Sequence, residues 1–90
     1  MKVWITKYAL TDGIVEGELI AKHRMEDDYT KEFKILYLCK NLQGDQFYLK
    51  KDEFYYSLDS ARFKAEQMRQ EKIANLKKQI EELEEMKFDV

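Results

Sequence analysis

The sequence predicts an α+β fold, in which a small antiparallel β-meander of four or five strands is followed by one long C-terminal α-helix. Two observations carry this prediction. Residues 1–56 hold short apolar runs rich in Val, Ile, Tyr and Phe, which are typical of strands, whereas residues 57–88 contain neither Gly nor Pro, which favours a helix. The chain has 90 residues and a mass of 10.9 kDa, enough for one small core, so we expect a single domain over residues 1–90.

Two strands are predicted in the first part of the chain. The run Val3–Leu10 is rich in β-branched and aromatic residues, and Thr11-Asp12-Gly13 after it is a hairpin signal because Gly tolerates a positive φ. The next run, Ile14–Lys22, alternates between apolar and polar residues and predicts a half-buried strand that can extend to Arg24. Its buried face would carry Val15, Gly17, Leu19 and Ala21.

The third strand, Phe33–Lys40, follows an acidic connection at Met25–Thr30 and is the most apolar of the strands. Phe33, Ile35, Tyr37 and Cys39 would share one face, with Leu36 and Leu38 on the other. Such a strand lies at the centre of a sheet or in a partly closed barrel, so a strongly curled, SH3-like half barrel is a variant of the fold. Phe47–Leu49 predicts a fourth strand, and Phe54–Tyr56 its bulged continuation or a short fifth strand.

The helix is predicted to begin after Ser57, a favourable N-cap residue, and to place Asp59 in the first turn, where the helix dipole favours a carboxylate. A helix from Leu58 to about Lys87 would be ~45 Å long. Since a sheet built from residues 1–56 is too small to cover it, we expect residues 57–88 to form a helix whose first half packs on the sheet and whose last half projects. The packing half would use Ala61, Phe63, Ala65 and Met68.

The projecting half carries an apolar seam with the spacing of a coiled coil over two short heptads. The seam consists of Ile73, Leu76, Ile80 and Leu83. Three interpretations are open, because the seam can pair with a second copy, bind another protein or fold back on its own sheet. Residues 57–78 carry six basic and three acidic groups, and residues 79–90 carry one basic and five acidic groups. This division slightly favours an antiparallel helix pair, with Glu84 near Lys77 of the second copy.

The composition argues against several classes of protein. A formal net charge of −2, from 16 basic and 18 acidic residues, disfavours a nucleic-acid binder held by bulk charge. No apolar run reaches the ~18 residues of a membrane span, and the N-terminus lacks the apolar segment of a signal peptide. A single cysteine fits a reducing compartment, so we expect a cytoplasmic protein without membrane attachment.

The sequence does not predict an enzyme. Motifs of phosphate-binding loops, dinucleotide-binding folds, zinc proteases and serine hydrolases are absent. His23 is the only histidine, which rules out a multi-histidine metal site within one chain, and we expect it at the surface. Cys39 lies in the most apolar strand, where burial suppresses the reactive thiolate. We expect no catalytic residue, metal or cofactor.

Two further groups of residues are candidate binding sites. The acidic group would contact a basic partner or form a solvated surface, and it consists of Glu26, Asp27, Asp28, Glu81, Glu82, Glu84 and Glu85. The second group would stack bases and hold phosphates of a single-stranded nucleic acid, although strands also favour aromatic residues for packing alone. Its members are Tyr48, Lys50, Lys51, Tyr55 and Tyr56.

Two stretches of the chain resemble small uncharacterised proteins of bacteria and prophages. Lys2–Thr11 followed by Gly13-Ile14 is similar to the opening of these proteins, and Ala65–Arg69 with Lys72–Leu83 is similar to their helical end. The resemblance implies a small bacterial or phage-derived cytosolic protein with an interaction or inhibitor role and no assigned catalytic residue.

We therefore predict a non-enzymatic protein-interaction module that forms a homodimer through its C-terminal helix. The first alternative is a phage-encoded inhibitor that acts on a host defence or nucleic-acid-handling protein by acidic surface mimicry. The second alternative is a single-stranded nucleic-acid binder that uses a Tyr/Lys sheet face.

Overall fold

The computed structural model describes residues 1–88 and contains a five-stranded antiparallel sheet followed by one long helix. The strands are β1 (Lys2–Ile5), β2 (Val15–Glu26), β3 (Phe33–Asn41), β4 (Gln46–Leu49) and β5 (Phe54–Tyr55). The helices are the single turn α1 (Ala9–Asp12) and the long α2 (Leu58–Glu85), with a short 3-10 helix at Lys51–Glu53. The predicted α+β class is confirmed.

The strand order is β4-β3-β2-β1-β5. The first four strands form the predicted meander, but β5 pairs with β1, with Ile5 opposite Phe54. The connection between Leu49 and Phe54 therefore joins the two ends of the sheet. In a flat sheet those ends would lie at least ~19 Å apart. A chain of this length reaches at most ~18 Å even when fully extended, and part of it is a 3-10 helix, so the sheet is strongly curled.

The first strand is shorter than predicted. It ends at Ile5, and the following residues form turns instead of a ladder, since the amide of Ala9 donates to the carbonyl of Thr6 at 3.0 Å. Gly13 ends the helical turn α1 with a φ of 77°. The prediction of a strand through Leu10 was wrong because these local hydrogen bonds satisfy the backbone without a partner strand.

The second strand contains a bulge at Ile20. Leu19 lies opposite Cys39 and Ala21 lies opposite Leu38, so the extra residue moves Ala21 to the other face of the sheet. The prediction that Ala21 shares the face of Leu19 was therefore wrong.

Beyond the bulge, β2 and β3 form a two-stranded ribbon. β1 pairs only with Val15–Glu18 of β2, and β4 pairs only with Tyr37–Lys40 of β3. Residues 22–36, the ribbon, therefore pair with neither β1 nor β4. At the ribbon's tip, the amide of Asp27 donates to the carbonyl of Glu32 at 2.8 Å.

The core lies between β1, β3, β4 and β5. Its buried members are Val3, Ile5, Cys39, Leu49 and Phe54, and Val15, Leu19, Tyr37 and Phe47 pack against them. Residues from both ends of the sheet share this one cluster, which follows from the curl.

The long helix begins as predicted, because the amide of Ser60 donates to the hydroxyl of the N-cap residue Ser57 at 3.2 Å. Near its start, α2 packs against α1, β1 and β5 through the buried Ala61. Phe63 is 69% exposed, so its predicted packing on the sheet was wrong. It lies two residues from Ala61, about 200° around the helix, and therefore faces away from the sheet.

The molecule is far from compact. Its radius of gyration is 18.2 Å, whereas a compact chain of this length has about 12 Å. Its accessible surface is 7586 Å², against about 5,600 Å² for a compact protein of this mass. The ribbon and the distal part of α2 account for this shape, since nearly all their residues are exposed.

Candidate interaction surfaces

The apolar seam of α2 is uncovered. Every residue from Arg69 to Glu85 is exposed, a length of helix of about 25 Å. The exposed fractions of the seam residues rise toward the helix end, from 39% for Ile73 and 43% for Leu76 to 53% for Ile80 and 65% for Leu83. The described part of the chain does not fold back over the seam, which leaves association with another molecule as the way to bury it.

Side-chain bonds support the helix where it leaves the sheet. The carboxylate of Glu66 accepts hydrogen bonds from Gln70 at 2.9 Å and from Arg69 at 2.6 Å. These two bonds lower the pKa of Glu66, and the spacing of three and four residues links successive turns. Side-chain hydrogen bonds thus stabilise the first turn of the projecting part of α2, where the helix has no contacts with the sheet.

The acidic residues fall into two separate places. Glu81, Glu82, Glu84 and Glu85 lie in the last turns of α2, and no ion pair to them is present among residues 1–88. The remaining acidic residue of that end, Asp89, lies outside the described residues. Four carboxylates at a helix C-terminus oppose the helix dipole, so cationic groups of a partner would stabilise this end.

The acidic loop forms the tip of the ribbon. Asp27 serves the turn itself, since its carboxylate accepts a hydrogen bond from the amide of Tyr29 at 2.9 Å. Glu26 lies 3.5 Å from the guanidinium of Arg24, while Asp28 is exposed. Part of this acidic group is thus engaged within the ribbon.

The tyrosine and lysine group is distributed over β4, β5 and the segments that follow each of them. Tyr48 lies on β4 and Tyr55 on β5, at opposite ends of the strand order. The ring of Tyr48 packs edge-on against His23, and the ring of Tyr56 packs edge-on against Phe54. The backbone amide of Lys50 is held by the carboxylate of Glu53 at 2.8 Å, and Lys51 begins the 3-10 helix.

The ribbon carries an exposed face of apolar and charged side chains that the sequence pattern did not predict. The register places Lys22 opposite Tyr37, Arg24 opposite Ile35 and Glu26 opposite Phe33, all on the core side of the sheet. The guanidinium carbon of Arg24 lies 4.0 Å from the ring centroid of Phe33, whose side chain is 52% exposed. No sequence pattern indicated this face, because the bulge at Ile20 is what turns Lys22 and Arg24 to the core side.

Chemically reactive groups are few. Cys39 is buried, and burial raises the pKa of its thiol, as expected for an inert side chain. Among residues 1–88, no three His, Cys, Asp or Glu side chains are grouped to hold a metal ion. None of the helices in that part of the chain combines the length and the apolar character needed to cross a membrane.

Comparison with known proteins reveals no relative. No protein-family model matches the chain, and neither a curated protein nor a solved structure matches it. The resemblance to small bacterial and prophage proteins therefore stays a prediction.

Proposed function

We propose that the protein is a non-enzymatic interaction module that forms a homodimer through the projecting part of α2. The observation that carries the proposal is the exposed apolar seam on a helix that extends beyond the sheet. Most helical stability in proteins comes from packing an apolar face, and the projecting part of α2 has no such packing within the described residues. A second copy would supply that packing.

The surface area of the chain supports the same proposal. The accessible surface of 7586 Å² exceeds that of a compact protein of this mass by about 2,000 Å². A stable interface removes about 800 Å² from each partner. The excess is therefore more than enough for a dimer.

Substitution within the seam tests the proposal. Leu76→Asp with Leu83→Asp should convert a dimer to a monomer, since each buried leucine contributes about 1.5–3 kcal/mol and a buried carboxylate opposes association. Ala74→Asp with Asn75→Asp is the matched control, because it changes the charge equally on the opposite side of the helix. Light scattering should show a dimer for the control only, and cooperative thermal unfolding should show that the sheet stays folded in both. A seam variant that keeps its dimeric mass contradicts the proposal.

A second candidate function rests on the acidic helix end. Glu81, Glu82, Glu84 and Glu85 form an exposed anionic surface of the kind that would occupy the basic site of another protein, as expected of a phage-encoded inhibitor. Binding of this type is strongly salt-dependent. A basic protein whose capture by the chain is unaffected by salt would not be a partner of this surface.

A further inference from the structure

The ribbon and the distal part of α2 are two uncovered elements of one chain, and their surfaces match. We propose that the core-side face of the ribbon is the docking surface for the apolar seam of α2 from a second copy. The proposal rests on the homodimer proposed above and names the surface that the seam meets. Two reciprocal contacts of this kind close a twofold dimer and leave neither element uncovered.

The ribbon itself requires a partner. A two-stranded ribbon is at best marginally stable in water, and helices commonly cover the open faces of sheets. The helix α2 of the same chain packs near β1 and β5 and leaves the ribbon exposed. A helix from another molecule can supply the missing layer.

The apolar rows of the two elements have the same length. From Ile73 to Leu83 the seam extends for about 15 Å along the helix axis. The row from Phe33 through Ile35 to Tyr37 extends for about 14 Å along its strand. Tyr37 also contacts the core, with its ring centroid 5.0 Å from that of Phe54, so the docking surface continues the existing core.

The charges around the two apolar rows are complementary. Lys22 and Arg24 border the ribbon row, with their cationic groups above the rings of Tyr37 and Phe33. One carboxylate on the same face, that of Glu26, lies 3.5 Å from Arg24, so the face keeps a net positive charge. Glu84 borders the seam, and Glu81 lies on the same side of the helix. The ribbon face thus offers cations to the acidic side of the helix, as Lys77 of a second copy would in an antiparallel pair of seams.

Charge reversal in the full-length chain tests the proposal. Lys22→Glu with Arg24→Glu, and separately Glu81→Lys with Glu84→Lys, should each raise the dissociation constant of the dimer about tenfold or more. The combined four-residue variant should recover most of the affinity, since the charges are then exchanged. Lys31→Glu with Lys34→Glu is the matched control for the ribbon, because these residues lie at the tip and on the opposite face.

Sedimentation equilibrium of these proteins, with Leu76→Asp and Leu83→Asp together as a sixth, distinguishes the outcomes. The expected result is that the combined variant recovers most of the dimer affinity and that the control has the dissociation constant of the wild type. A ribbon variant that dimerises like the wild type, while Leu76→Asp with Leu83→Asp is monomeric, overturns the docking proposal and leaves the helix-mediated dimer intact. A wild-type chain that is monomeric throughout overturns both.

Discussion

Gly17 shows how a single residue determines the packing of three strands. It is buried between β1 and β3, and an added Cβ would lie 2.7 Å from Cδ1 of Ile5 and 2.8 Å from the carbonyl oxygen of Lys40. The backbone oxygen cannot move without disturbing the ladder. Only glycine therefore fits where the curled sheet brings these strands together.

Substituting this glycine should destabilise the sheet. We expect Gly17→Ala to lower the free energy of unfolding by about 1–3 kcal/mol, the usual range for overpacking a core. Urea denaturation measures the change, and Glu18→Ala on the exposed side of the same strand is the control. A Gly17→Ala protein as stable as the control would show that the strands are less closely packed.

In contrast to Gly17, the side chain of Thr6 can be changed without loss of stability if its hydroxyl is replaced by a methyl group. Its side chain is 1% exposed, and its hydroxyl has no hydrogen-bond partner within the described chain. Because an unpaired buried hydroxyl costs about 1–3 kcal/mol, Thr6→Val should be neutral or stabilising. Thr6→Ser, which keeps the hydroxyl and removes the methyl group, should destabilise. Thermal unfolding compares the three proteins, and a destabilised Thr6→Val would reveal a hidden partner for the hydroxyl.

Cys39 should make stability depend on pH in the alkaline range. Burial raises the pKa of its thiol above the ordinary value of 9.0, so the folded state favours the protonated form. The stability that this shift contributes to the folded state is present in full below the ordinary pKa. It is lost as the pH rises through the raised pKa. A thiol-reactive disulfide should accordingly react far more slowly with the native than with the urea-unfolded chain. Equal rates would contradict burial of Cys39.

Among the elements, the sequence predicted the strands, their meander order and the helix, but neither the bulge in β2 nor the partner of β5. The N-cap at Ser57 and the third strand from Phe33 were predictable because local residue types determine them. The bulge at Ile20 was not, since it depends on register with β3. The pairing of β5 with β1 depends on the curl of the whole sheet, and no local pattern encodes it.

The helix cap can be tested at this scale. Ser57→Ala removes the acceptor for the amide of Ser60, and we expect a loss of about 1 kcal/mol in the free energy of unfolding. Ser60→Ala is the control, because it keeps the amide and removes only the hydroxyl that contacts Ser57 at 2.9 Å. In urea unfolding, Ser60→Ala should be more stable than Ser57→Ala. The reverse order would contradict the role of Ser57 as the N-cap of α2.

At the scale of the molecule, the exposed elements determine the functional proposal. The spacing of apolar residues predicted the seam. Its exposure was predicted from the length of the helix, which exceeds what the sheet can cover. The sequence did not predict the exposed face of the ribbon, since Phe33 and Ile35 have the composition of a buried strand. Exposure of that strand follows from where β1 and β4 end, which is a property of the assembled sheet.

The mass of the wild-type chain in solution is the decisive measurement for the proposed homodimer. Light scattering over a concentration series should give twice the chain mass of 10.9 kDa at micromolar concentration, with dissociation on dilution. The mass of a single chain at every concentration would contradict the claim, because the apolar seam would then remain exposed without a second copy.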